Sequence, residues 1–428
     1  MKRLTRLSFR ALSLAIICSF AVSSLFAISF DTTFGDAGKF VTNYSEAPDR
    51  SSFAGWTFIQ PSGRILLAGN HSQPGVGGRV TGIAVAGLTT SGVLDPTYGV
   101  AGKILNWNSS SDTLPLDCVM LPDGSLLVFH QFRQDPGIQR AGIIKYTVNG
   151  QLDAAFSADL NIDGSQTTPI RMTLGANGKI YALVRLATNH YIIRLNVDGS
   201  RDSTFAPAGV RPLDLNRIPN SQRQITGLQE LAGGKVAVSG DYLYQQSFYS
   251  QGFVMRFNSQ MHLDRSFGLQ GVIHIGIPYG SVGFQRMLVT PDGKILLAGY
   301  YTFLGSNALV VRVNTRGRLD TSFGDGGIGM YSFGNLNAVR GMKLLPDGKI
   351  YIIGSRADKA LPSNQKLFIA QLSSTGVRES FLVTNFVAGQ DAGGTDVAFQ
   401  ADGKIIASGF VVNSANVLTQ TAGARFNP

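Results

Sequence analysis

Two cysteines in 428 residues leave no room for a disulfide framework. Cys18 lies in an apolar leader, so Cys118 stands alone in the body of the chain, and stability has to come from packing and closure of the fold. Catalytic signatures are missing too. The five histidines form no His-Glu-x-x-His, and there is no Gly-x-Ser-x-Gly elbow and no glycine loop that would cradle a phosphate before a helix. The run Gly75-Val-Gly-Gly78 is loop punctuation. No catalytic residue, metal site or cofactor is therefore assigned. Charged residues make up only 15%, and the +10 formal charge is scattered rather than clustered, which argues against nucleic acid as a partner. What the chain does have is 51 glycines and 44% hydrophobic residues, the composition of many short strands joined by tight turns.

The first segment differs from the rest. Lys2, Arg3, Arg6 and Arg10 precede an apolar block from Ala11 to Phe26, and Ala27 offers a small residue for cleavage. Residues 1–27 read as a signal peptide, short in its apolar part for a membrane span of about 20 residues, with an uncleaved anchor as the alternative because Leu25 suits the cleavage site poorly. The remainder, 28–428, is expected to be exported, periplasmic or extracellular, and monomeric, with no span after cleavage.

A turn repeats along the body. Glycines 63, 124, 178, 234, 293, 348 and 403 each close a Pro-Asp-Gly-like turn, as in Pro291-Asp-Gly-Lys-Ile-Leu-Leu-Ala-Gly299, and each precedes a short aliphatic run. Their spacing is 54 to 61 residues. Asp-Gly between apolar runs predicts a two-residue hairpin, and alternation marks four strands per copy. In the fifth copy these are 284–290, 294–300, 308–314 and a stretch from 319 through Gly327 to Phe333. Cys118 falls at an apolar strand-one position and is expected in the core. Glu230 interrupts the apolar pattern in the fourth copy.

A second motif, Gly-x-Leu-Asp-x-Ser/Thr-Phe-Gly, runs through Asp95, Asp153, Asp202, Asp264 and Asp320, with a worn copy at Arg378-Glu-Ser-Phe381. One carboxylate per copy falls short of the six to eight oxygens that calcium takes, so these aspartates are expected to cap turns and the aromatics to wedge between repeats. Together the two motifs, carried by 291–299 and by Val311-Arg-Val-Asn314 leading to Gly317-Arg-Leu-Asp-Thr-Ser-Phe-Gly324, resemble the delta-60 repeat of bacterial β-propellers over essentially the whole of 28–428. The resemblance implies a fold and brings no catalytic motif with it.

Seven copies predict an all-β chain forming a single seven-bladed β-propeller of four-stranded antiparallel blades. The last copy stops at strand three, near Arg425-Phe-Asn-Pro428, while Phe30-Asp-Thr-Thr-Phe-Gly35 to Tyr44 is a strand-four motif without a preceding blade. The N-terminal strand is expected to complete the last blade and close the ring, removing exposed edges.

Function is expected on the face where connections vary, such as 70–79, 129–140, 241–251, 106–115 and 213–223. Seven places before each turn glycine stand Trp56, Asp117, Arg171, Gly227, Arg286, Gly341 and Asp396. Trp56, Asp117, Arg171, Arg286, Arg340 and Asp396 form a candidate ligand site at the channel mouth on that face, set against the alternative that the charges pair with one another and with water. His71, His130 and Arg185 lie near the strand-two exits, where surface histidines are expected rather than metal ligands. The function read from this pattern is a non-catalytic scaffold presenting variable loops to a protein or envelope glycan. The alternative is a propeller enzyme, a lyase or hydrolase on a sugar or lactone, working through the charged ring.

Overall fold

The computed structural model describes residues 27–42, 44, 51–75, 78–106, 112–133, 139–219, 222–244, 249–357, 365–413 and 418–428. The segment read as a signal peptide, 1–27, lies outside them except for Ala27. Helical structure among the described residues is confined to two short 3-10 turns, and everything else regular is strand. No described helix is long and apolar enough to cross a membrane.

The strands form six hydrogen-bonded sheets in which neighbours in sequence are neighbours in space and run antiparallel. One eight-stranded sheet is two four-strand units joined by a single parallel bridge, Ser306 to Leu336. In the fifth copy the strands are Ser281–Val289, Ile295–Thr302, Ser306–Val313 and Ile328–Tyr331; the first three lie within three residues of the sequence expectation at both ends, while the fourth begins only after the turn at Gly327. The strands Ile65–Gly75 and Gly78–Leu88 stay paired as far as Gly75 and Gly78, inside the span 70–79 that the sequence reads as a loop.

The hairpin turns differ from the expectation in type. Gly63, Gly124, Gly178, Gly234, Gly293, Gly348 and Gly403 have φ between 69° and 86°, while the residue before each has no positive φ except Gly233 in the fourth copy. In the fifth copy the Gly293 N–H donates to the Thr290 carbonyl at 2.8 Å and the Thr290 N–H to the Lys294 carbonyl at 2.9 Å. This is a three-residue loop, a type I turn closed by a left-handed glycine. The prolines explain it: Pro61, Pro122, Pro291 and Pro346 hold φ negative at the first turn position, where a two-residue type I′ turn needs it positive.

Every copy's first strand carries a β-bulge at the same place. Register shifts fall between Ala54 and Trp56, Pro115 and Asp117, Pro169 and Arg171, Ile225 and Gly227, Phe284 and Arg286, Val339 and Gly341, and Gly394 and Asp396. The bulge explains the glycine that ends Leu-Leu-Ala-Gly299. A Cβ on Gly299 would lie 1.9 Å from the Gly283 carbonyl oxygen, and Gly69, Gly240, Gly354 and Gly409 meet the same backbone approach. The second and third copies place His130 and Val184 there instead, opposite Pro115 and Pro169.

The aspartates of the second motif cap turns, as expected. Asp320 Oδ1 accepts from the Ser322 N–H at 3.2 Å and its hydroxyl at 2.8 Å, while Oδ2 pairs with Arg312 at 2.8 Å and Lys294 at 3.1 Å. The Arg312 guanidinium lies 4.8 Å from the centre of the buried Phe323 ring. Asp264, Asp202 and Asp31 repeat this clasp with Arg256, Arg194 and Arg425. The aromatics wedge beneath the next copy: a Cβ on Gly376 would strike Phe323, and one on Gly92 would strike Phe34.

Two copies depart from the pattern. The second has a three-stranded sheet among the described residues, without the expected fourth strand. Its motif ends Phe156-Ser157, lacking the glycine that turns the chain after Phe323 at φ 53°, and Leu160 and Ile162 are buried there without joining the sheet. In the fourth copy Glu230 leaves the apolar pattern because it accepts hydrogen bonds from the third copy's hairpin, from the Ala176 N–H at 2.7 Å and Tyr181 Oη at 2.8 Å.

The N-terminal strand Lys39–Thr42 pairs antiparallel with Leu418–Asn427, in register from Lys39 and Ala424 to Thr42 and Thr421. The first strands of the second to last copies touch in chain order, and the last, Asp391–Phe399, touches the first copy's Ser51–Ile59.

Candidate functional site

The bulges decide where the charged ring goes. Each shifts the strand by one residue just before the ring position, which redirects that side chain inward. Trp56, Asp117, Arg171, Arg286 and Asp396 line one cavity of about 210 Å³, with Cys118, Met172, Met287 and Met342 in its wall. The structure thus brings together five of the six residues read from the sequence. Arg340 is the sixth, and it is the unpaired bulge residue of its own strand, one place out of register with the ring; it is exposed and outside the lining.

The cavity's position corrects the expectation of a mouth on the variable-loop face. Its lining comes from the middle of the first strands and from residues toward the uniform hairpin turns, such as Val119, Thr173, Leu288 and Lys343. Sequence spacing gives the face of a strand but not its height in the channel.

Most polar atoms of the ring hold the frame. Asp396 Oδ2 accepts from the Thr57 N–H at 2.9 Å, and Asp117 Oδ2 from the Met172 N–H at 3.1 Å, each in the next copy. The Arg171 Nε donates to the Thr226 carbonyl at 3.1 Å and its Nη1 to the Ile170 carbonyl at 2.9 Å. Arg286 reaches across to the Gly55 carbonyl at 3.4 Å. None of the described ion pairs includes Arg171 or Arg286.

Burial pushes the Asp117 carboxyl up, and Arg171, the Met172 N–H and Arg286 pull against it. Burial likewise lowers Arg171, with Asp117 opposing. The Cys118 thiol is raised well above its usual range by burial and by Asp117 beside it, the opposite of a reactive nucleophile. It is 5% exposed in the core, as expected.

His71 and His130 are buried, at 1% and 6% exposure, rather than on the surface. Burial holds His130 near pKa 4, and thus neutral at neutral pH. No cluster of His, Cys, Asp or Glu among the described residues could hold a metal ion.

Sequence reasoning missed a third feature, on the variable-loop side. Tyr279, Phe303 and Leu304 are 73%, 46% and 86% exposed, and the Tyr279 and Phe303 rings lie 6.2 Å apart. Tyr279 and Leu304 both adopt left-handed backbone, at φ 65° and 52°. Bulky residues rarely take that conformation, and no sequence pattern signals it.

Residues 176–205 and 290–323 match the model of a β-propeller domain of unknown function, DUF5122. No curated protein sequence matches the chain. Among solved structures it is similar to a catalytically inactive virginiamycin B lyase from Staphylococcus aureus with quinupristin, at 10% identity and TM-score 0.47, covering 90% of this chain and 98% of the lyase. It is also similar to prolyl oligopeptidase B from Galerina marginata, at 11% identity and TM-score 0.42, covering 85% of this chain and 47% of that one. A protein of unknown function from Bacteroides caccae matches at 12% identity and TM-score 0.41, covering 79% and 99%. None of these brings an activity to the present chain; the two matched repeats identify its fold as a β-propeller.

Proposed function

We propose that the chain is an exported, non-catalytic scaffold, a seven-bladed propeller of delta-60-like repeats closed by its N-terminal strand, whose variable loops engage a protein or envelope glycan. The observation that carries this reading is the displayed cluster of Tyr279, Phe303 and Leu304. Left-handed backbone at two of its three residues costs on the order of 1 kcal/mol each, and it turns large apolar groups toward solvent where burial would have stabilised the fold. Aromatic and aliphatic anchors on a rigid frame suit partner binding. The central cavity, at about 210 Å³, is smaller than the several hundred Å³ usual for a ligand pocket, and its polar atoms already serve the frame.

The test is binding of envelope fractions and of isolated cell-wall glycan to the wild-type protein and to the Tyr279→Ser/Phe303→Ser/Leu304→Ser variant. The reading expects binding to be lost while the unfolding temperature holds or rises. Equal binding by both would refute it.

Asp117 favours a second reading, an enzyme acting on a sugar or lactone, because its buried carboxyl in the cavity wall is raised by burial toward the protonated form a general acid needs, against the pull of Arg171 and Arg286. Turnover of such a substrate that disappears in Asp117→Asn would establish it.

A further inference from the structure

The repeats serve as controls for one another, and the junction between the third and fourth copies is one of three where Ser157, Ala206 or Leu382 replaces the docking glycine. Where the motif aromatic is followed by glycine, that glycine docks onto the next copy's strand-three-to-four turn: Gly35 N–H to the Ser91 carbonyl at 2.7 Å, Gly99 to Asn149, Gly268 to Arg316 and Gly324 to Thr375, each at 2.8 Å. Between the third and fourth copies Ala206 replaces that glycine, and Met261 takes the place of the turn glycine with φ 60°. The chain there also inserts the long connection after Val210–Leu213, whose Leu215 and Ile218 pack into the core beside Met261.

A cleft of about 680 Å³ opens at this junction, the volume of a compact ligand. Its charged lining is Arg217, Arg223 and Arg265 against Asp214, with His190 and His262. No described ion pair includes any of the three arginines. Arg265 is exposed and its side chain makes no hydrogen bond among the described residues, while Arg217 donates to Gln270 Oε1 at 2.6 Å. Arg223 Nη1 bonds the Leu215 and Ile218 carbonyls at 3.1 and 3.2 Å, which fixes the guanidinium at the wall. His190 is pressed toward pKa 4 by burial and by the positive charges of Arg223 and Arg185. Asp214 spends Oδ1 on the Asn216 N–H. The cleft therefore sets three guanidinium charges against one carboxylate, a net positive lining. Its remaining wall mixes apolar faces, Tyr191 and Pro212, with the amide and hydroxyl groups of Asn189 and Thr188.

We propose that this cleft binds a small acidic sugar, its oxyanion held by Arg217, Arg223 and Arg265 and its ring lying along Tyr191 and Pro212. Guanidinium groups, two of them held by hydrogen bonds to the wall, suit a carboxylate or phosphate, and the mixed wall suits a polyol ring. The site is separate from the displayed aromatic cluster, so it stands or falls independently of the scaffold reading.

Calorimetric titration of the purified protein at matched ionic strength tests it, with glucuronate, glucose 6-phosphate, neutral glucose and inorganic phosphate as probes. Saturable binding of glucuronate or glucose 6-phosphate is expected, with none for glucose, and the two acidic arms tell carboxylate from phosphate. Arg217→Gln/Arg265→Gln should weaken it at least about tenfold, since each charged hydrogen bond is typically worth that much, without moving the unfolding midpoint. Arg223 also holds the loop, so Arg223→Lys, which keeps the charge, is the safer variant there and should weaken binding less than the double change. The proposal is overturned if neither acidic sugar binds, if inorganic phosphate alone binds, or if the double variant binds as tightly as wild type.

Discussion

Asp31 and Arg425, 394 positions apart in the sequence, form an ion pair at 2.8 Å in which both side chains are buried. Lys404 pairs with the same carboxylate, and Arg425 Nη1 reaches on to the Thr90 carbonyl in the first copy at 2.7 Å. One arginine thus ties the N-terminal motif, the last sheet and the first sheet together.

Removing one partner leaves a buried charge uncompensated, so Asp31→Ala is expected to lower stability by about 3 kcal/mol. Asp31→Ala/Arg425→Met should recover part of that loss, with Arg425→Met as the fourth corner of the cycle. Urea unfolding of the four proteins in the cycle, read by near-UV circular dichroism, checks both.

The clasps predict an acid limit. Burial alone would raise Asp202 and Asp320, but the Thr204 and Lys179 hydrogen bonds with the Arg194 charge, and their counterparts Ser322, Lys294 and Arg312, win and hold both near pKa 2. Asp95 is held near 2 chiefly by Thr97 and Arg64. A carboxylate lowered in the folded state stabilises fully above its unfolded value of about 4 and loses that contribution as the pH falls from about 4 through 2. The stability gap between wild type and Asp202→Asn should therefore be wide at pH 7 and shrink toward pH 2 in urea titrations.

Asp241 acts in the opposite sense. Burial raises its carboxyl to about 6, against a single opposing hydrogen bond from the Phe284 backbone. The folded state then binds more protons than the unfolded one between about pH 4 and 6, so this residue makes the protein more stable as the pH drops from 7 toward 5. Asp241→Asn is expected to add about 1–2 kcal/mol at pH 7 and little at pH 4.5. Thermal unfolding at the two pH values checks the sign.

The bulge geometry makes a sharper structural prediction. Gly299→Ala places a methyl against the Gly283 carbonyl and should cost about 2–3 kcal/mol, the usual range for overpacking a well-packed site. Val184→Ala, at the equivalent place opposite Pro169, removes a buried side chain without that clash and should cost less. Comparison of their denaturation midpoints separates backbone collision from lost packing.

Much of the fold was legible because it is written in consecutive residues. Turn glycines announce left-handed backbone, prolines fix the turn type once their φ is considered, alternation marks the buried faces, and Asp320 followed by Ser322 and Phe323 spells a capped turn. Cys118 read as core from its strand position alone. The ring residues were legible only as a register: their spacing from the turn glycine put Asp117, Arg171, Arg286 and Asp396 on one face, while Arg340, one place off, lies outside the cavity lining although burial and the charge of Arg286 both lower its pKa.

The amino-acid sequence by itself determined the repeat, its strands, its turns and the inward face of each first strand, because these depend on φ preferences and on a side-chain period of two. Tertiary structure alone decided which carbonyl each ring arginine meets, that Asp396 caps the Thr57 N–H 339 residues away, that Tyr279 and Phe303 stand together in solvent, and that a basic cleft opens beside Met261. Those outcomes depend on how one sheet sits against the next, and a contact between sheets is set by packing across them rather than by any run of neighbours in the chain.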